Sequence, residues 1–482
     1  MAPSLRHLAA TLLFLGIVAA LAPVSRPSGY FRDFNAFYCA GDAVATHHDP
    51  YRAEPLGSCE RRPKPAGFQA GAEHLSLPAP LPPYTLALFV PLSYLPYAVA
   101  ASVWSLVLLL ALGITVETMH RVTAIPRATL FAVFAPIEGY SAVYLGEMAP
   151  LAVAAIALAT LFVERGSHKG AAIAVCAALI QPHVGLAAVL ALFLCSKRAR
   201  PVLCGIGAFL GVASIALVGM RTTFEYLHDV LPAHALSEVH STRQLSLTAL
   251  LHSLGVGDHL ALALGSTSYV AMLLLGLTLA RALALRNRRD GLIVALPAAL
   301  VLAGGAFIHV IQMPTALPAA LLLFTRTRGP MRNAVGAAIA LLAIPWDQFP
   351  ILGLIFVPIA ATVAFMLTRH LLEGSIRTAT VAAVAAAGAA LAFDVALLGA
   401  TPFTSVALPP VHPHDLAEVN WGINIRLLGG VNRQLFDVAR FPTWLAIAAI
   451  AAMLIRFASG PLRRRETTSE AFRFASPELA GR

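Results

Sequence analysis

The residues best suited to chemistry lie in Asp33-Phe34-Asn35-Ala36-Phe37-Tyr38-Cys39-Ala40-Gly41, just past an apolar N-terminal run, with Asp49-Pro50-Tyr51 following in the same polar segment. A carboxylate at a membrane–water boundary can act as a base in water while its substrate stays anchored in lipid. The chemistry it suits is transfer with inversion, in which the base takes the proton of an acceptor hydroxyl as that oxygen attacks an activated carbon. One carboxylate suffices where the leaving group is a phosphate. Asp33 also reads as the N-cap of a helix starting near Phe34, since Asp is favoured there. Asp42 and Asp49 are the competing carboxylates, and Asp49-Pro50-Tyr51 is equally a turn signal. Tyr38, Asp49 and Tyr51 are candidate substrate contacts. His47 and His48 beside Asp49 raise the idea of a metal site, but adjacent histidines on an irregular loop are more simply solvated. No CxxC or Cys/His ligand spacing occurs, so no metal and no cofactor are expected.

Further candidates lie at breaks in apolar segments. Gln181-Pro182-His183 interrupts one apolar pair of runs, and His309-Val310-Ile311-Gln312 interrupts another. Polar groups at membrane depth point to function by default, although each break also reads as a hydrogen-bonded kink. Gln181, His183, His309 and Gln312 are therefore candidate substrate contacts. Arg243, near His240 and Gln244, opens a stretch that reads as a surface helix as far as Leu254. An arginine there can pair bidentately with a phosphate or merely snorkel to the interface. Glu147 follows Gly146 in a short turn, and a buried glutamate is costly unless paired or protonated. Asn420-Trp421-Gly422-Ile423-Asn424 and Arg426 suit sugar stacking, but interfacial tryptophan is common anyway.

The elements that must position these residues are membrane helices. Of 482 residues 58% are hydrophobic and 12% charged, against about 25% charged in soluble domains. Apolar runs near the ~20-residue length of a span recur from end to end. Spans are expected near 8–24, 128–143, 149–163, 201–219, 267–285, 333–345, 350–368, 378–398 and 441–457. Pro91 and Pro96 break the stretch from Tyr84 to Val116, so a short interfacial helix should precede the span there. Residues 170–181 and 183–195 form a short hairpin with basic flanks. Twelve helical residues rise only ~18 Å, less than the ~30 Å hydrocarbon core, which leaves the polar tip near the outer leaflet. Residues 291–308 and 313–324 repeat the design. The expected fold class is an all-α integral membrane protein, a polytopic bundle of about 12–14 helices with re-entrant-like hairpins and outer-surface loops. It forms one transmembrane domain over residues 1–462, with outer loops at 25–82, 220–266 and 399–440. A basic tail at 463–482 is expected to be disordered.

Charge supports a topology. With the N-terminus in the cytoplasm, 23 of the 34 basic residues fall inside and about 17 of the 24 acidic ones outside, as the positive-inside rule requires. Asp33 then faces outward, and the net charge of +10 reflects sidedness, not nucleic-acid binding. Cys39 and Cys59 share the first outer loop, where a disulfide is permitted; the sequence leaves that pairing open.

Together the Asp33 motif, Asp49-Pro50-Tyr51, Pro82-Pro83-Tyr84, the Gln181-Pro182-His183 tip and Arg243-Gln244-Leu245-Ser246-Leu247 resemble the polytopic glycosyltransferases of the C-type (GT-C) fold. Over roughly residues 30–325 the chain is most similar to the polyprenyl-phosphate-mannose-dependent mannosyltransferases, glycosyltransferase family 87. The resemblance implies metal-independent, inverting transfer of a hexose, mannose first, from polyprenyl phosphate to a lipid-linked or polysaccharide acceptor outside the cytoplasmic membrane. Partners would be that donor, that acceptor and the bilayer. Two positions depart from the family pattern: Gln181 stands where relatives usually have a lysine, and Glu147 where they often have a glutamine. A pentose such as arabinofuranose would suit the same fold, and a transporter or flippase of lipid-linked sugars is the rival from another class.

Overall fold

The computed structural model describes residues 31–62, 76–241, 243–397, 412–429 and 433–460. The expected first span at 8–24, the tail at 463–482 and parts of the first and last outer loops lie outside the described residues. Among these residues there is no strand, only two isolated bridges, Arg52 with Leu416 and Gln244 with His309.

Among the described residues six helical segments are long and apolar enough to cross a membrane: Tyr97–Thr123, Arg127–Leu145, Arg200–His240, Asp258–Arg286, Ile376–Phe393 and Asp437–Ser459. Five shorter apolar helices accompany them. The chain is thus an all-α, multi-pass membrane protein. Along Arg200–Glu225 the side chains of Phe209, Val212, Ile215, Met220 and Phe224 are all exposed. An apolar surface of that extent belongs against lipid, not water.

Sequence signals explain the breaks. Pro96 caps Tyr97–Thr123, and two short turns, Pro83–Leu86 and Val90–Ser93, precede it as expected. Gly219, at φ 82°, ends regular helix within Arg200–Glu225, where the expected span stops. The next span begins earlier than expected, at Asp258. The surface helix is also shorter than expected, Leu247–Ser253. Ser246 caps it by accepting from the Ala249 N–H, while Gln244 and Leu245 are extended.

Both hairpins form. The first runs His168–Ala177, turns through Ala178–Ile180, breaks at Gln181 and resumes as Pro182–Cys195. Its two arms meet at Gly185, where a Cβ would come within 2.3 Å of the Ala178 carbonyl oxygen. In the second hairpin the break is wider than expected. Helix Leu292–Leu300 gives way after Ala303, and Gly305, at φ 143°, holds a backbone that other residues rarely adopt. The tip therefore spans 304–309, and helical backbone resumes at Val310, ahead of Leu317–Arg326. At the basic flanks Arg326 pairs with Glu164 (2.7 Å) and Asp290 (2.6 Å), tying this hairpin to Ala149–Glu164.

Candidate active site

Asp33 is held by the first described helix, Arg32–Ala45. Phe31 precedes it in a left-handed conformation, and its N–H donates to the Tyr144 carbonyl at 2.8 Å. Gly146, at φ 71°, lets this turn approach closely, since a Cβ there would meet Phe34 Cβ at 2.5 Å. Trp104 Nε1 donates to the Gly146 carbonyl at 2.7 Å. Phe34 packs among Phe89, Tyr97 and Trp104 with ring centroids 5.6–6.3 Å away; each such pair contributes roughly 0.5–1.5 kcal/mol beyond area burial. A disulfide between Cys39 and Cys59 ties the helix to Ala53–Glu60.

Asp33 does not cap this helix. It lies inside the first turn and makes no hydrogen bond among the described residues. Its carboxylate, partly exposed, lines a cavity of about 910 Å³. Burial raises its carboxyl above the ordinary value, against the pull of Arg32, His309 and Arg243.

Both hairpin tips line the cavity. Tyr84 Oη donates to the Leu179 carbonyl (2.7 Å) and Tyr269 Oη to the His183 carbonyl (2.8 Å), pinning both sides of the first tip. Gln181 is buried, and its amide donates to Glu147 Oε1 at 2.9 Å; its own oxygen has no partner among the described residues. Glu147 and Gln181 thus contact each other. Burial, then the charge of Asp33, push the Glu147 carboxyl up to about 8.

The second tip is stitched to the loop that carries Arg243 and Gln244. Leu245 N–H donates to Ile308 O (2.6 Å), and Ile308 N–H to Gln244 Oε1 (2.7 Å). His309 and Gln312 cap each other's backbone. Buried Arg440 donates to the Gln244 carbonyl (2.7 Å) and Trp444 Nε1 to the Leu245 carbonyl (2.9 Å), so the last span fixes the loop bearing Arg243.

Asp33, Gln181, His183, Arg243, His309 and Gln312 all line this one cavity. Tyr38, Asp49 and Tyr51 do not. Tyr38 Oη donates to the carbonyls of Ser93 and Leu95, and Tyr51 Oη to that of Leu81. Asp49 accepts from the Tyr51 N–H and pairs with Arg52. These three hold the framework of the segment that follows Arg32–Ala45. The neighbouring His47 and His48 are exposed, and His48 Nδ1 lies 3.0 Å from Thr46 Oγ1; they do not converge with Asp49 on a metal.

Two residues at the cavity carried no signal of their own in the sequence. Arg32 lies beside Asp33 with its guanidinium 4.4 Å from the centre of the Trp421 ring. Glu238 is buried. It accepts from Trp421 Nε1 at 2.5 Å, and its Oε2 lies 3.3 Å from the Gln244 amide and 3.5 Å from His309. Neither Arg32 nor Arg243 forms a salt bridge among the described residues, and both line the cavity with Asp33. Two guanidinium groups without carboxylate partners suit an anionic ligand, phosphate above all. Leu186, Leu227 and Val270 also line the cavity and are exposed on the apolar surface.

A multi-pass helical membrane protein with a large cavity, carrying a carboxylate, two cations and an indole, suits an integral membrane enzyme. Residues 81–308 match glycosyltransferase family 87, and the protein is a membrane glycosyltransferase, with a sugar donor, an acceptor and the bilayer as its partners. The match includes Glu147, Gln181, His183 and Arg243; Asp33 lies before it and His309 and Gln312 just past it. No curated protein and no solved structure matches the chain.

Proposed function

We propose that the chain transfers a hexose, mannose first, from polyprenyl phosphate to a lipid-linked or polysaccharide acceptor on the outer side of the cytoplasmic membrane, with inversion. The observation that carries this reading is the Asp33 carboxylate facing the cavity beside Arg32 and Arg243. The acceptor oxygen forms its bond to the anomeric carbon as Asp33 takes its proton. The bond from that carbon to the phosphate oxygen breaks, and its electron pair leaves with polyprenyl phosphate. Arg32 and Arg243 hold the phosphate and stabilise its growing charge. They stand in for the lysine that Gln181 replaces. The Trp421 indole that supports Arg32 is itself fixed by Glu238. The polyprenyl tail leaves along the apolar wall at Leu186, Leu227 and Val270.

Packing below the tips favours catalysis over transport. Ala178, Val184, Ala187 and Ala188 of the first hairpin and Met313, Ala316 and Leu317 of the second are wholly buried, which supports a one-sided cavity.

The test is transfer from radiolabelled polyprenyl-phosphate-mannose to an envelope lipid extract by protein in nanodiscs. Asp33→Asn should cut the rate by at least about 100-fold, the lower end of what a general base contributes, while donor binding persists. Undiminished transfer by the variant would remove Asp33 as the base. Transfer from a polyprenyl-phosphate pentose but not from the mannose donor would reassign the sugar. Movement of the lipid across the bilayer without transfer would favour a flippase.

A further inference from the structure

His240, His252 and Asp258 come from three different elements. His240 ends the long helical run that begins at Arg200, His252 lies in the last turn of Leu247–Ser253, and Asp258 opens Asp258–Arg286. Folding brings His240 Nε2 to 2.8 Å from Asp258 Oδ2 and His252 Nδ1 to 3.1 Å from Asp258 Oδ1. The imidazole rings stand nearly perpendicular, 83°, with centroids 4.7 Å apart. The three ligand atoms all lie within 4.8 Å of one another. The side chains are 22%, 12% and 28% exposed, shielded yet reachable from solvent.

We infer that these residues form a binding site for a divalent transition-metal ion, Zn²⁺ by its donor set. Two imidazole nitrogens and one carboxylate oxygen are the ligands zinc takes at sites with an open position, and imidazole favours zinc, copper and nickel over magnesium or calcium. Zinc–ligand bonds of about 2.0–2.2 Å in tetrahedral geometry put neighbouring ligand atoms roughly 3.3 Å apart. The two histidine–aspartate contacts, one to each carboxylate oxygen, are within about half an ångström of that, and a shift of either imidazole onto a shared ion closes the rest. The ion would displace the proton that the His240 imidazole now shares with the carboxylate, and that proton leaves to solvent. One coordination position remains for water or an anionic oxygen.

The role that follows is positional. The three ligands bracket the segment that carries Arg243, and His240, Ser241 and Arg243 all line the cavity. An ion here fixes the loop that presents Arg243. It takes no part in the displacement, so the inference stands apart from the metal-independent transfer proposed above.

The experiment uses the full chain in nanodiscs, stripped with chelator and titrated with Zn²⁺ by calorimetry, with Co²⁺ as a spectroscopic probe. Saturable binding of about one equivalent and the visible absorption of four-coordinate cobalt are expected. Loss of a second-shell partner alone costs 10–100-fold in metal affinity, so His252→Ala and Asp258→Asn should each weaken binding at least about 100-fold. The double substitution His47→Ala with His48→Ala should leave it unchanged. Equal affinity in wild type, His252→Ala and Asp258→Asn would overturn the site. So would the lack of both saturable zinc binding and a cobalt band in wild type, a result that needs no variant to fold. Neither readout depends on which sugar the enzyme transfers.

Discussion

Replacing Glu147 by glutamine tests the electrostatics of the cavity most directly. The side chain is 9% exposed, accepts from the Gln181 amide and the Met148 N–H, and lies close enough to Asp33 to feel its charge. Its carboxyl sits at about 8 in the folded protein against an ordinary 4.5, burial being the main cause. Between those values the folded protein keeps a proton that the unfolded chain has lost. The stabilising contribution is therefore complete below about pH 4.5, falls as pH rises, and is gone above about pH 8. At roughly 1.4 kcal/mol per pH unit, the interval from pH 5.5 to pH 8 removes about 3 kcal/mol. Glu147→Gln keeps the shape and the contact with Gln181 but cannot ionise, so that part of the pH dependence should vanish. Thermal midpoints in nanodiscs, measured from pH 5.5 to 8.5, should fall by several degrees more in wild type than in the variant. Transfer at pH 6, where Glu147 is protonated, should be within a few-fold of wild type. Parallel midpoint curves for the two proteins would refute the raised titration, and loss of transfer at pH 6 would refute the claim that the neutral form suffices.

Three further outcomes follow from the same geometry. Arg243→Ala and Arg32→Ala each remove a charged donor worth about 1.5–3 kcal/mol to a phosphate; the KM for the lipid-phosphate donor should rise roughly 10- to 100-fold, and an unchanged KM in both would exclude them as its ligands. Gly185→Ala drives a Cβ into the Ala178 carbonyl, a backbone contact that cannot swing aside, and should lower stability by about 1–3 kcal/mol, seen as a lower thermal midpoint. Cys39→Ser opens a loop of sequence separation 20 and should cost about 3 kcal/mol of stability, with the reduced wild type showing the same lowered midpoint.

Much of the fold was legible because membrane burial imposes simple patterns. Apolar length marks a span, and proline or glycine marks its end, so Pro96, Gly219 and the Gln181-Pro182-His183 break fall where the residues place them. The second tip begins earlier than the sequence indicates because Gly304 and Gly305 are apolar in composition and pass for helix, whereas Gly305 holds a backbone that ends it. Tyr38, Asp49 and Tyr51 looked like substrate contacts because aromatic and acidic residues near Asp33 fit either role. Only packing shows their polar atoms committed to Ser93, Leu95, Leu81 and Arg52.

The sequence by itself determined the class: helices long enough to span, few charges, and polar residues too costly to leave in lipid without a use. Those are local properties, set by composition and spacing over one or two turns. The tertiary structure decided which polar groups meet. Arg32 has no motif, yet it stands over Trp421, hundreds of residues away, and beside Arg243. Glu147 and Gln181 each read as a separate departure, but they are one hydrogen-bonded pair. His240, His252 and Asp258 have no ligand spacing and still converge. Contacts between distant segments depend on how the hairpins dock, and docking depends on shape complementarity that no short window of sequence contains.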